Sequence, residues 1–178
     1  ISATGVVIGS GGSIVSSIED NSTVGGSNDG LSLRLTSLND MDVISSGNTS
    51  SQNSSQGMDI ILNAATLGNG TLNLDLSNNT VNDNASKGIN LEASTLGSGL
   101  ISATVSMNII DNNGAAETFN ADALADSGME VSLQSVWGDI DFSFSENSAS
   151  GNGSASTEEF GAAVAGNGID LTLLSSSG

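Results

Sequence analysis

A glycine followed by apolar residues at the first, third and fifth positions after it recurs five times in this chain. Repetition at a steady register limits the fold before any other feature does. The glycines are Gly30, Gly57, Gly88, Gly128 and Gly168. The rows they open read Leu31, Leu33, Leu35; Met58, Ile60, Leu62; Ile89, Leu91, Ala93; Met129, Val131, Leu133; and Ile169, Leu171, Leu173. Ser32, Asp59, Asn90, Glu130 and Asp170 stand between the first two members of each row, on the opposite, outward parity. Alternation with a period of two marks a strand with one buried face.

Asparagine supplies a second register mark. Seven, five and three residues before Asn21, Asn48, Asn79, Asn108 and Asn147 come Ile14, Ser16, Ile18; Met41, Val43, Ser45; Leu72, Leu74, Leu76; Ile101, Ala103, Val105; and Ile140, Phe142, Phe144. Each unit therefore holds a second alternating strand. Five residues after each asparagine stand Gly26, Asn53, Asn84, Asn113 and Asn152, a second polar rank.

The spacing from the first asparagine to the next glycine is 9 residues in three units, then 20 and 21 in the last two. Strand lengths hold while this connection grows, which places the extra residues in loops outside a constant core. Two strands, a short third segment and turn-rich corners per unit predict one coil of a parallel β-helix. Equivalent side chains then stack from coil to coil at about 4.8 Å. An antiparallel sandwich would not preserve one register of glycine, asparagine and apolar marks. The expectation is an all-β chain, a single β-solenoid domain over residues 1–178 with about five coils and two longer insertions in its C-terminal half.

The run Asn79–Leu91, NTVNDNASKGINL, resembles the Asn-x-(Val/Ile)-x-x-Asn-x-x-x-Gly-Ile-x-Leu signature of right-handed parallel β-helix repeat proteins, the pectate-lyase-like superfamily. Asn48–Ile60 and Asn108–Asn113 match it in part. The resemblance implies a right-handed solenoid; it identifies a fold and not an activity. Stacked asparagines at a corner, here Asn48, Asn79, Asn108 and Asn147 with Asn53, Asn84, Asn113 and Asn152, are expected to form hydrogen-bonded ladders inside the solenoid. The glycine before each first strand either turns with positive φ or lets neighbouring coils approach closely.

Composition narrows the chemistry. With no cysteine and no histidine, disulfide frameworks, thiolate metal sites and the commonest general base are absent. Twenty acidic residues against Arg34 and Lys87 give a net charge of −18, which repels phosphate backbones and disfavours nucleic acid as a partner. No apolar run reaches the roughly 20 residues that a helical membrane span needs, so membrane insertion is not expected. Few tryptic sites and a start at Ile1 without methionine lead to an expectation of a processed or excerpted chain that lives outside the cell or at its surface.

Lyases and hydrolases of the β-helix superfamily cluster carboxylates on one outward strand face. Here the outward ranks read Asp42, Asn73, Ser102, Asp141 and Ile44, Asp75, Thr104, Ser143, which pairs no two acids closely, so no enzyme is expected. Asp139 and Asp141 flank Ile140 and are the candidate calcium ligands; no other cofactor is expected. The long connections carry Phe119, Leu124, Phe160 and Val164, with Ser156 and Glu159 spaced as a helix capping box.

Neither end of the repeat carries a polar cap. The last strand keeps its apolar row, and Gly5, Val6 and Ile8 repeat the glycine register at the start. Val6, Ile8, Ile14 and Ile18 at one end, with Phe142, Phe144, Ile169, Leu171 and Leu173 at the other, are thus expected to meet head to tail between copies. A heterologous contact of this kind grows filaments. The leading expectation is a structural subunit of an extracellular filament or surface fibre, a homo-polymer. The alternative is an excerpt of a large β-helical surface adhesin that binds glycans. ISAT at 1–4 and again at 101–104 leaves the phase of the first coil open.

Overall fold

The computed structural model describes residues 2–7, 13–64, 70–114, 127–152 and 168–176, and in the first of these segments the backbone alone. Every regular element among them is a strand, and every strand pairing is parallel. Sixteen strands wind as a right-handed parallel β-helix with three faces. Sheet A stacks β1 (Ser2–Val7), β4 (Leu31–Ser37), β7 (Met58–Ala64), β10 (Ile89–Thr95), β13 (Met129–Ser135) and β16 (Ile169–Ser175). Sheet B stacks β2 (Ile14–Glu19), β5 (Met41–Ser46), β8 (Leu72–Ser77), β11 (Ile101–Ser106) and β14 (Ile140–Ser145). Sheet C holds the three-residue strands β3 (Ser22–Val24), β6 (Thr49–Ser51), β9 (Thr80–Asn82), β12 (Ile109–Asp111) and β15 (Ser148–Ser150).

The register runs without a slip along each sheet. Leu31, Met58, Ile89, Met129 and Ile169 form one file, as do Met41, Leu72, Ile101 and Ile140. These inward files make a narrow aliphatic core in which Met58, Ile60, Leu62, Leu72, Ile89, Leu91 and Ile101 are fully buried. Sheet C adds one inward residue per rung, the partly buried Thr23, then Ser50, Val81, Ile110 and the partly buried Ala149. Parallel strands cannot join through tight hairpins, and the third strand with its two corners provides the return path in each coil.

Both asparagine ranks stand at the corners of sheet C and form continuous ladders, buried at Asn48, Asn79, Asn108, Asn53, Asn84 and Asn113 and partly buried at the end rungs. In the first, the side-chain Nδ2 of Asn21, Asn48, Asn79 and Asn108 donates to Oδ1 of the asparagine one coil on, at 3.1, 3.0, 3.0 and 2.8 Å. The backbone N–H of the same residues donates to the same oxygens at 3.0–3.1 Å. A second Nδ2 proton reaches back to a strand carbonyl of the preceding coil, from Asn48 to Ile18 and from Asn79 to Ser45. The second ladder repeats the scheme through Asn53, Asn84, Asn113 and Asn152, with Gly26 donating only its backbone N–H. A primary amide suits the position because its two donors and its acceptor serve three rungs at once.

The residue before every ladder position adopts positive φ: Asp20, Gly47, Asn78, Met107 and Glu146 ahead of the first ladder, and Gly25, Gln52, Asp83, Asn112 and Gly151 ahead of the second, all between 53° and 67°. One left-handed residue turns the chain sharply enough to aim the next side chain inward. The strand-opening glycines do not supply these turns. Gly57 is there for proximity, since a Cβ on it would collide with the Val81 side chain and stand 2.7 Å from the Gly88 carbonyl oxygen.

The register of β1 corrects the expected one. Ser2 pairs with Ser32 and Gly5 with Leu35, so Val6 takes the register of Thr36 in an outward rank rather than that of Leu31. Aligning Gly5 with Gly30 would run the strand through Gly12 and leave Ser13 alone to turn the corner before β2. The other A-to-B corners use at least three residues, Leu38 to Asp40 being the shortest. Ile8 lies outside the described residues, as do Phe119, Leu124, Ser156, Glu159, Phe160 and Val164 of the two long connections.

Candidate functional site

The two ends of the solenoid carry its unfinished chemistry. At the C-terminal end β16 continues the apolar file of sheet A, but no strand covers it among the described residues. Leu133 is fully buried, whereas Leu173, next in the same file, is 45 % exposed, with Ile169 and Leu171 similar. Among the described residues sheets B and C stop one rung earlier, so Ile140, Phe142, Phe144 and Ala149 pack on the core from below, partly buried, with no described strand above them. Phe142 and Phe144 lie with ring centroids 5.9 Å apart in a tilted contact. At the N-terminal end Ile14 and Ile18 are likewise only partly buried. The structure thus gathers Ile14 and Ile18 on one end face and Phe142, Phe144, Ile169, Leu171 and Leu173 on the other.

The ladders give the ends polarity. Amide donors point toward the C-terminal end along both ranks, and the oxygens that receive them point back. Asn147 and Asn152 are the last acceptors, and no further asparagine oxygen follows them among the described residues. Asn21 opens the first ladder, donating its backbone N–H and Nδ2 to Asn48 Oδ1, and among the described residues no asparagine precedes it.

The outward ranks fall where the pattern placed them: Asp42 beside Asn73, then Ser102 and Asp141, and Ile44 beside Asp75, then Thr104 and Ser143. Asp42 and Asp141 are three rungs apart, about 14 Å. Asp139 and Asp141 are both exposed, and among the described residues no group of three or more acidic side chains gathers to hold a metal ion.

One network was not legible in the pattern. On the outer face of sheet A, Arg34 pairs with Asp59, whose carboxylate also accepts from Asn90 Nδ2 at 2.9 Å. Lys87 reaches Glu130 at 2.7 Å and Asn90 at 3.5 Å. Both cations of the protein thus serve one rank, and Asp59, expected outward in water, is 1 % exposed. The rank Ser32, Asp59, Asn90, Glu130, Asp170 was visible in the sequence, but not the reach of Arg34 across one strand and of Lys87 from the corner. On the A–B corner, Trp137 is 61 % exposed beside Val136, which with Asn63, Ser94, Leu96 and Gln134 lines a cavity of about 220 Å³.

Comparison with protein-family models, with curated proteins and with solved structures finds no match to this chain.

Proposed function

We propose that the protein is a structural subunit of an extracellular or cell-surface filament, a rod that polymerises head to tail by β-strand stacking of its open ends. The observation that carries this reading is the exposed apolar file of β16, whose counterparts one rung below, Met129, Val131 and Leu133, are fully buried by a covering strand. Burying such side chains from water is worth roughly 1.5–3 kcal/mol each when complete. The signature at Asn79–Leu91 supports placing the architecture with the pectate-lyase-like β-helix proteins. The spread of outward carboxylates over separate rungs supports mechanical rather than catalytic use.

Leu171→Asp sets a charge in the middle of the exposed file and is expected to keep the chain folded while abolishing sedimenting polymer. Copies of charge −18 repel, so wild-type polymer is expected to grow with ionic strength or millimolar calcium. Assembly unaffected by the substitution, or polymer that loosens in salt, would count against the reading. A second reading, a segment of a larger adhesin that binds glycans, draws on Trp137, 61 % exposed on the A–B corner next to Val136, a residue that lines the cavity there. This is the chain's single tryptophan, so a sugar stacked on it is expected to change the intrinsic fluorescence, and an unchanged spectrum across neutral and acidic glycans would remove that reading.

A further inference from the structure

Counting rungs gives the end-to-end contact a specific form. Among the described residues sheet A holds six strands and sheets B and C hold five each. If a second copy simply laid its β1 on β16 of the first, its β2 and β3 would each stand two rungs from β14 and β15. One rung would be empty on two of the three faces. Phe142 and Phe144 would stay uncovered and the asparagine ladder would be broken. If instead the second copy's β2 stacked directly on β14, its β1 and the first copy's β16 would claim the same place. Only one of the two strands fits.

The residues favour β16. At the register positions beside Leu31, Leu33, Leu35 and Ser37 of β4, β1 brings Ala3, Gly5 and Val7 to the last three. In the same file β16 carries Ile169, Leu171, Leu173 and Ser175, the pattern of β4 itself. Building β2 onto β14 sets Ile14 on Ile140, Ser16 on Phe142 and Ile18 on Phe144. Phe142 then lies between Ala103 on one side and Ser16 on the other, a large side chain flanked by two small ones. Asn147 meets Asn21, whose Oδ1 is the acceptor that the first ladder lacks at that end. Charge agrees: Asp170 comes beside Ser32, diagonal to Arg34 on the side away from Asp59, so the protein's single arginine stands between two carboxylates.

We propose that the contact between copies is a strand exchange, in which β16 of one copy displaces β1 of the next and the three sheets run on without an empty rung. The inference rests on head-to-tail polymerisation and specifies its partner surface, a second copy of this chain joined through β4, β2 and the first ladder. The second ladder ends at each junction, because Gly26 donates its backbone N–H but has no side-chain oxygen to accept from Asn152 of the preceding copy.

Cross-linking separates the two geometries. In the exchanged contact Leu174 of one copy neighbours Thr36 of the next; in simple stacking it neighbours Val6. Neighbouring strands place Cα atoms about 4.8 Å apart, within disulfide range, and the chain has no cysteine of its own. Two double variants, Leu174→Cys with Thr36→Cys and Leu174→Cys with Val6→Cys, are polymerised and oxidised. Exchange predicts a covalent ladder of oligomers from the first and little from the second. The reverse result, in filaments, overturns the exchange and leaves polymerisation standing. The wild-type rise per subunit gives an independent reading should either variant fail to fold: five rungs, roughly 24 Å, for exchange, against six rungs, roughly 29 Å, for simple stacking. Wild-type chains that form no filament overturn both.

Discussion

Asn79→Ala is expected to cost about 3–5 kcal/mol of stability, while Asn21→Ala costs less than about 1 kcal/mol. Asn79 is fully buried and makes four side-chain hydrogen bonds. Its Nδ2 donates to Asn108 Oδ1 and to the Ser45 carbonyl, and its Oδ1 accepts from the backbone N–H and the Nδ2 of Asn48. Truncation strands the Asn48 N–H in the interior, at about 1–3 kcal/mol, removes the remaining bonds and opens a small void. Asn21 has the same chemistry but stands on the first rung, partly exposed, and its backbone N–H still satisfies Asn48 Oδ1 after truncation. Urea unfolding of both variants checks the contrast. Equal losses would mean that the ladder acts as a set of independent bonds, with no premium for burial.

Gly57→Ala is expected to be as damaging, at about 3 kcal/mol or more, through overpacking. The added methyl collides with the Val81 side chain and comes within 2.6 Å of Asn84 Nδ2 and 2.7 Å of the Gly88 carbonyl oxygen. Relief requires moving a corner of the next coil, and the second ladder with it. Gly25→Ala is the control. Nothing lies within 4 Å of its new methyl, and its φ of +67° costs an L-residue only about 1–2 kcal/mol. Thermal midpoints should separate the two substitutions clearly, and a tolerated Gly57→Ala would show that coil spacing at that corner is not fixed by close approach.

Much of this architecture was legible because a solenoid repeats its physics in the sequence. A file such as Met58, Ile89, Met129 must be apolar at every rung, and a ladder such as Asn48, Asn79, Asn108 fails if one member changes type. The left-handed corner residues were not legible. Asp20, Gln52, Met107 and Glu146 share a backbone conformation but no side-chain chemistry, since their side chains leave the corner rather than fill it. The first coil misled for a related reason. Gly5 imitates the strand-opening glycine, yet the length of the corner before Ile14, and not residue type, fixes the register of β1. The end faces were legible as apolar rows, while the competition between β1 and β16 follows from the rung count across three sheets, which no local pattern encodes.

The central claim is that this solenoid continues from copy to copy. Electron cryomicroscopy of the purified chain at raised ionic strength, with the helical rise measured along any fibre, tests it most directly. Continuation predicts unbranched filaments with three continuous parallel sheets and a rise of roughly 24 Å, five rungs of about 4.8 Å. Dispersed short rods under the same conditions would contradict it.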